Sequence, residues 1–233
     1  MKLTKFLREQ GYDLIEGPVR NHKPLQLWLK QIFDETELYY ANVNQAFTSS
    51  VVLEEIENTS LSIDSSKKDE YGFNIGITIL DEILESIGLG TVELSSKITS
   101  GKTISISYED AITREYAIGN IENYFAAADF VHANPSLLKN ANKNNILILT
   151  GVVFAKNLQV TIATDFTINP DLVVSLNAVA EGKLDFTVND TNNLNMVSSG
   201  NGLFPIAIKA SRLDFDKGVF KKLKLVTDNR NFF

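Results

Sequence analysis

Residues 100–108 read SGKTISISY, and this stretch separates two classes of fold. Its first four letters match the end of a phosphate-binding loop. That loop needs a glycine five places before Gly101, where this sequence has Ser96, and a helix that begins directly after Lys102-Thr103. The residues that follow instead alternate between apolar and polar side chains, which is typical of a β-strand. We therefore predict a strand entered through a turn at Ser100-Gly101, and no nucleotide-binding loop.

The composition indicates a globular protein without a nucleic-acid partner. The chain has 233 residues, of which 44% are hydrophobic and 22% are charged, and this suits one large domain or at most two small ones. Its formal net charge is −7, whereas proteins that bind DNA or RNA normally carry a basic surplus. There are no cysteines, which excludes disulfides, zinc–thiolate sites and cysteine nucleophiles and fits a reducing cytoplasm.

The sequence shows neither a secretory signal nor a membrane-spanning helix. Its first residues, MKLTKFLREQGYDLIEG, lack the long apolar core and the cleavage site of a signal peptide. No window approaches the roughly 20 apolar residues that a spanning helix needs. We therefore expect the protein to be made in the cytoplasm.

Alternating strands dominate the second half of the chain and predict the fold class. Leu184, Phe186 and Val188 alternate with Asp185, Thr187 and Asn189, a pattern typical of an antiparallel strand with one face in water. Strands and helices do not alternate regularly, so a doubly wound parallel sheet is not expected. We predict an α+β fold, in which helices pack on one face of a large twisted antiparallel β-sheet.

The predicted helices are fewer than the predicted strands. An amphipathic helix is predicted over 2–10, and a second helix is predicted to begin at Pro135, with Asn134 as its N-cap, and to run to about Lys143. Further helices are predicted over 25–33, 76–87 and 114–128, whereas LVVSLNAVA at 172–180 is predicted to be a strand.

The residue chemistry predicts no enzyme, cofactor or metal site. The two histidines, His22 and His132, each stand without a second ligand at metal-binding spacing. The acidic groups at 54–57 and 81–85 are interpreted as solvated faces, not as catalytic acid pairs. Neither a nucleophile elbow nor a zinc-protease motif occurs in the sequence.

Three blocks of sequence together resemble the bacterial gasdermins. They are GYDLIEGP at 11–18 with KPLQLW at 23–28, FNIGITILDEILESIGLG at 73–90, and LFPIAIKASRLDFDKGVF at 203–220. The resemblance implies a fold like the gasdermin N-terminal domain and a pore-forming protein of bacterial cell death. It implies a pore-forming domain at 1–218 and a short autoinhibitory tail at 219–233.

The same resemblance implies a mode of action. The protein would be cytoplasmic while inactive and would be activated by a protease that removes the tail. It would then oligomerise into a large ring in the inner membrane, each copy crossing with two β-hairpins, and the resulting lysis would limit the spread of phage. Some bacterial gasdermins carry an acylated cysteine near the N-terminus; this chain has no cysteine, so no lipid anchor is carried over.

Strand length predicts which segments would cross a bilayer. Backbone amides need partners in hydrocarbon, and a crossing strand needs about 9–11 residues. ILILTGVVF and NLQVTIATDF, joined around residues 155–157, have that length and are predicted to form one hairpin. The stretches around 38–63 and 91–108 are candidates for the second.

Two small groups of residues are predicted to contact the membrane and to anchor the tail. Contact with anionic lipid headgroups is assigned to the basic side chains of Lys2, Lys5, Arg8, Lys221, Lys222 and Lys224. Phe232 and Phe233 are predicted to anchor the tail in an apolar groove, because an exposed aromatic pair would be a liability. Two alternatives stay open from the residues alone: a soluble α+β module that binds a lipid or a small apolar ligand, and a hydrolase built from unremarkable residues.

Overall fold

Two long strands form the centre of the largest sheet in the computed structural model of the chain. Strand β9 (Ile146–Lys156) pairs antiparallel with strand β13 (Phe204–Asp216). Ten consecutive residues of β9, from Ile146 onward, are buried. Both faces of β9 are therefore covered, which explains why its sequence is apolar without alternation.

The structure describes residues 7–14, 22–30, 36–58, 103–107, 110–131, 134–156, 159–163, 167–180, 184–198 and 203–227. The predicted helix at 76–87 lies outside these residues, and so do residues 91–102 of the candidate crossing stretch 91–108.

Two short strands pair one after the other along the edge of β9 that is opposite β13. Strand β2 (Leu27–Leu29) pairs with the first residues of β9, and strand β7 (Asp110–Glu115) pairs with its last residues. Strand β3 (Glu37–Tyr40) continues the sheet from β2, and strand β5 (Ile56–Asn58) continues it from β7. All these pairings are antiparallel, as predicted.

The far edge of β13 holds the first and the last described strands of the chain. Strand β1 (Asp13–Leu14) pairs with residues 207–208 of β13, and strand β14 (Val219–Leu225) pairs with residues 211–216. With these two strands, the described part of the sheet has eight strands.

A helical turn precedes β1. Of the helix predicted over 2–10, residues 7–10 are described; residues 7–9 are helical and residue 10 lies in the turn that follows. The turn ends at Gly11, whose φ of 79° is left-handed. The amide of Gly11 donates to the Arg8 carbonyl at 2.9 Å and the amide of Tyr12 donates to the Leu7 carbonyl at 2.8 Å. This pair of bonds, with glycine at the left-handed position, is a common way to end a helix.

Two apolar cores lie on opposite faces of the large sheet, because neighbouring residues of a strand point to opposite faces. The first core includes Ile146 and Ile148 and is rich in aromatic rings; the ring centroids of Phe47 and Phe125 are 5.1 Å apart. The second core includes Leu147 and Leu149 and continues over Trp28, Val152, Ile208 and Ala210.

Helices α1 (Ile118–Ala126) and α2 (Pro135–Asn142) pack on the first core. The predicted start of α2 is confirmed: the side chain of Asn134 accepts hydrogen bonds from the amides of Ser136 and Leu137, and Pro135 occupies the first turn. Helix α1 is shorter than predicted, because residues up to Glu115 belong to β7. A small two-stranded sheet, β4 (Phe47–Thr48) with β8 (Asp129–Phe130), lies at the same core.

A second sheet has four described strands in the order β11, β12, β10, β6. These are β11 (Leu184–Asp190), β12 (Asn193–Ser198), β10 (Gln159–Ala163) and β6 (Thr103–Ser107). Strand β6 confirms the prediction that the stretch after Ser100-Gly101 is extended, and the predicted α+β class with a large antiparallel sheet is confirmed as well.

The predicted helix at 25–33 is wrong over its described residues, 25–30. Residues 24–25 form a turn and residues 27–29 form β2. Leu27 and Trp28 point to opposite faces of the sheet and are 0% and 2% exposed. A strand buried on both faces has no alternation, so its apolar run cannot be told from a buried helix by periodicity.

The predicted strand at 172–180 is also wrong, because these residues lie in helix α3 (Pro170–Ala180). The side chain of Asn169 accepts a 2.9 Å hydrogen bond from the amide of Asp171. An asparagine followed by proline thus begins α3 as it begins α2. This start signal outweighs the β-branched valines of the segment, because β-branching lowers the helix propensity of a residue only slightly.

Candidate functional site

The four-stranded sheet is amphipathic along β11, at one edge of the described order, and along its neighbour β12. Phe186, Leu194 and Met196 are buried on one face, with Phe186 opposite Met196 in the pairing. Asp185 and Thr187 are exposed on the other face. A sheet with one apolar and one polar face is the pattern that a strand between lipid and water requires.

The predicted hairpin of β9 with β10 does not exist in this structure. Strand β9 pairs with β13, β2 and β7, whereas β10 pairs with β12 and β6 in the other sheet. The physical reason lies in the side chains of β9: they are buried on both faces, and a strand at a lipid–water boundary would have one polar face.

Strands β10 and β11 are instead joined by helix α3. Both pair antiparallel with β12, which lies between them, so β10 and β11 run parallel to each other. Two parallel strands of one sheet need a crossover connection between them, and α3 forms part of that connection. The amide of Ile168, just before α3, donates a 2.7 Å hydrogen bond to the carbonyl of Thr191 in the β11–β12 turn.

The side chain of Asn177 holds α3 against β11. Its Oδ1 accepts a hydrogen bond from the Phe186 amide at 2.7 Å, and its Nδ2 donates one to the Phe186 carbonyl at 2.9 Å. Sequence reasoning missed Asn177 because its partner is a backbone group on another element. The available signal was an asparagine within a mostly apolar segment.

The three lysines of β14 are all exposed. Lys221 lies at an irregularity in the pairing, where β14 has one residue more than β13, and its Nζ is 3.8 Å from Oδ2 of Asp216. Lys222 and Lys224 are two residues apart and therefore share one face of the strand, opposite Asp214 and Arg212 respectively. The structure thus brings two of the three predicted lysines together on one face.

The remaining predicted site residues lie outside β14. Arg8 forms an ion pair with Asp13, with Nε 2.9 Å from Oδ1, and Asp13 is 7% exposed. Lys2 and Lys5 lie outside the described residues, and so do Phe232 and Phe233. His22 stacks on Trp28 with the ring centroids 5.1 Å apart, and His132 is outside the described residues.

A further polar cluster lies over β9, where side chains from β7, from β13 and from the residue before β1 meet. The Tyr12 hydroxyl donates a 2.8 Å hydrogen bond to Glu115, and Lys209 Nζ lies 3.7 Å from the same carboxylate and 5.2 Å from the centroid of the Tyr12 ring. Burial, together with the hydrogen bond to Glu115 and its charge, raises the pKa of Tyr12 well above its ordinary value. This cluster joins three strands; sequence reasoning missed it because its members are distant in the chain.

Two kinds of site are absent from the described ranges. No three His, Asp or Glu side chains are grouped there in a way that could hold a metal ion. No helix among those residues is both long enough and apolar enough to cross a bilayer. The acidic residues Glu55 and Glu57 are exposed and form ion pairs with Arg114 at 3.7 and 2.9 Å.

Comparison with known proteins identifies the family. The fold is similar to that of a bacterial gasdermin from Bradyrhizobium tropiciagri, with a TM-score of 0.55, 16% sequence identity, and coverage of 94% of this chain and 89% of that one. A Gasdermin A3 membrane pore is similar over 93% of this chain and 89% of that one, with 10% identity and a TM-score of 0.36. The last value is too low to support an argument. No curated protein matches by sequence.

The profile of the Bacterial Gasdermin Family matches residues 15–219, which is most of the chain. The large antiparallel sheet with its few helices agrees with that match. The resemblance in the three sequence blocks is thereby confirmed, and the chain belongs to the bacterial gasdermin family.

Proposed function

We propose that this protein forms pores: once activated, it oligomerises into a large ring whose copies together build a β-barrel across the membrane. In this proposal the pores cause cell death and so limit the spread of phage. The observation that carries the proposal is the family match over residues 15–219. The protein has no catalytic role in it and needs no cofactor.

Activation is proposed to occur by proteolysis near the C-terminus. Of the predicted tail, 219–233, the residues Val219–Leu225 form β14 and pair with β13. Val226 then donates a 3.0 Å hydrogen bond to the carbonyl of Ala210. A cut after Thr227 would leave the sheet intact, so we place the removable inhibitory part beyond this residue, with Phe232 and Phe233 as its anchors.

The membrane-crossing segments are proposed to come from the amphipathic sheet. Strands β10 and β11 are shorter than the roughly 9–11 residues of a crossing strand. Helix α3 lies between them in the chain, and residues 159–190 exceed the roughly 20 residues that two crossings need. Refolding of α3 into extended chain would therefore give one long hairpin from β10 to β11.

The first contact with the membrane is proposed to be electrostatic. The inactive protein is cytoplasmic in this proposal, and the activated protein binds the inner membrane. Its net charge of −7 opposes binding to anionic lipid, so a local basic surface is required. The candidates are Lys2, Lys5, Arg8, Lys221, Lys222 and Lys224.

A vesicle experiment tests the proposal. A recognition sequence for a site-specific protease is inserted between Asn229 and Arg230, and the purified chain is added to dye-filled vesicles of anionic and zwitterionic lipid. We expect dye release only after cleavage, accompanied by rings in negative-stain images. The same insertion with a scrambled sequence is the control. A monomer that binds lipid saturably and leaves the vesicles sealed after complete cleavage would instead identify a ligand-binding module.

A further inference from the structure

A side chain bonds to one residue at the outer edge of the four-stranded sheet. Among the described residues, strand β11 is the last strand in the order β11, β12, β10, β6. In an antiparallel pair, the backbone groups of alternate residues point away from the partner strand. Both backbone groups of Phe186 bond to the Asn177 side chain, at 2.7 and 2.9 Å, so this residue presents its amide and its carbonyl to the outer edge.

The two bonds of Asn177 replace those of a neighbouring strand. A carboxamide holds an N–H donor and a carbonyl acceptor side by side in one plane, as a strand presents them. At Phe186 it satisfies the amide and the carbonyl together, which is what a residue of an added strand would do. Exposed sheet edges pair readily with other chains, and native proteins cover them. Here the cover is a residue of α3, the helix that connects β10 to β11.

We propose that the Asn177–Phe186 contact is an inhibitory contact, which keeps the outer edge of β11 from pairing with a strand of a second copy until α3 moves away. This inference rests on the proposed function, because it concerns the assembly of copies in the membrane. It adds a second restraint, within the body of the fold, to the one proposed for the tail.

The substitution Asn177→Ala removes both bonds. Loss of two hydrogen bonds of ordinary strength increases the population of the open edge roughly 5- to 100-fold. Alanine also has a higher helix propensity than asparagine, so an acceleration of assembly by this variant cannot come from a weakened helix. We expect the rates of dye release and of ring formation after tail cleavage to rise roughly tenfold.

Asn123→Ala is the matched control. Asn123 is an exposed residue in the interior of helix α1, so this variant has the same change in side chain and in helix propensity without touching β11. Its release rate should equal that of the unsubstituted chain. A second test variant, Asn177→Asp, keeps the size of the side chain but turns a carboxylate oxygen toward the Phe186 carbonyl, and it should also accelerate release.

Hydrogen exchange supplies a readout that does not depend on a membrane. In the uncleaved chain, the amide of Phe186 should exchange faster in Asn177→Ala than in the unsubstituted chain or in Asn123→Ala, by a similar roughly 5- to 100-fold factor. Circular dichroism confirms that each variant is folded before the comparison.

The outcomes separate this inference from the proposed function. Faster exchange at Phe186 together with faster release in both Asn177 variants supports the inhibitory contact. Faster exchange with a release rate equal to that of Asn123→Ala overturns it and leaves the pore-forming function standing, and unchanged exchange at Phe186 overturns it as well. Vesicles that stay sealed with every cleaved chain overturn the proposed function, and the inhibitory contact with it.

Discussion

The hydroxyl of Tyr12 donates a 2.8 Å hydrogen bond to the carboxylate of Glu115 directly above Gly151. Glu115 lies beside Gly151 in the pairing of β7 with β9, and Tyr12 immediately precedes β1. A β-carbon on Gly151 would lie 2.7 Å from the Tyr12 hydroxyl oxygen, a distance at which the two atoms clash. The absence of a side chain at position 151 is therefore what allows Tyr12 to pack across the central strand.

Gly151→Ala is expected to destabilise the fold. The new methyl group would also lie 3.1 Å from Cβ of Glu115, so either the tyrosine or strand β7 has to move. Overpacking of this kind costs about 1–3 kcal/mol. Urea unfolding followed by circular dichroism should show a midpoint at lower urea with little change in slope.

Gly119→Ala provides the opposite control. Gly119 lies in helix α1, and a β-carbon there would have no neighbour within 4 Å. Alanine in the middle of a helix is more favourable than glycine by about 0.5–1 kcal/mol; Gly119 is in the first turn, so this variant should be at least as stable as the unsubstituted chain. Equal midpoints for the two glycine variants would show that the space above Gly151 is not restrictive.

Tyr12→Phe is expected to lower stability at neutral pH and to make stability less sensitive to alkali. At pH 7 the variant loses a hydrogen bond to a charged group, about 1.5–3 kcal/mol. Burial, and then Glu115, raise the pKa of Tyr12 above its ordinary value of 10.0. Above pH 10, the tyrosine ionises in the unfolded chain but keeps its proton in the folded one, so unfolding becomes more favourable as the pH rises.

The measurement for Tyr12 is the free energy of unfolding at several pH values from 7 to 11. The contribution of Tyr12 is fully present below pH 10 and decreases above it, so the two curves should converge in alkali. Burial also raises the pKa of Tyr124, and the variant should therefore retain some alkaline loss of its own. Parallel curves for the two proteins would refute the assignment to Tyr12.

The sequence predicts those features that local chemistry determines. The side chain of Asn134 caps α2 by accepting hydrogen bonds from the amides two and three residues further along the chain. Such a cap can be recognised from the short sequence Asn-Pro alone. The alternation of β11 likewise appears in its sequence, because one face is polar. Strand β2 could not be recognised, since Leu27 and Trp28 are buried in the two opposite cores, which are built mostly from residues distant in the chain. The Asn177–Phe186 contact depends on how α3 docks, which no local pattern encodes.

Thr227→Val is expected to destabilise the junction between the two ends of the chain. The Thr227 hydroxyl donates a 2.6 Å hydrogen bond to the carbonyl of Gly11 and accepts a 3.4 Å bond from the amide of Ala210. Thr227 is 0% exposed, so valine would leave buried backbone groups without these partners. We expect a loss of about 1–3 kcal/mol in urea unfolding.

Thr187→Val is the matched control for Thr227. Thr187 is exposed on β11, and valine suits a strand at least as well as threonine does. A change within about 0.5 kcal/mol is expected for such a surface position. If Thr227→Val proved equally neutral, the hydroxyl bond to Gly11 would contribute nothing to holding the C-terminal segment.

Lys222→Gln with Lys224→Gln is expected to weaken binding to anionic vesicles. A lysine near an anionic membrane surface contributes about 1 kcal/mol, so the double variant should bind roughly 30-fold less tightly at physiological salt, and less difference should remain at high salt. Lys221→Gln is the comparison, because Asp216 lies 3.8 Å from its Nζ and offsets part of its charge; its effect should be smaller. The measurement is co-sedimentation with vesicles at increasing phosphatidylglycerol content, with circular dichroism to confirm folding. Equal binding by all three proteins would place the basic lipid contact elsewhere on the chain.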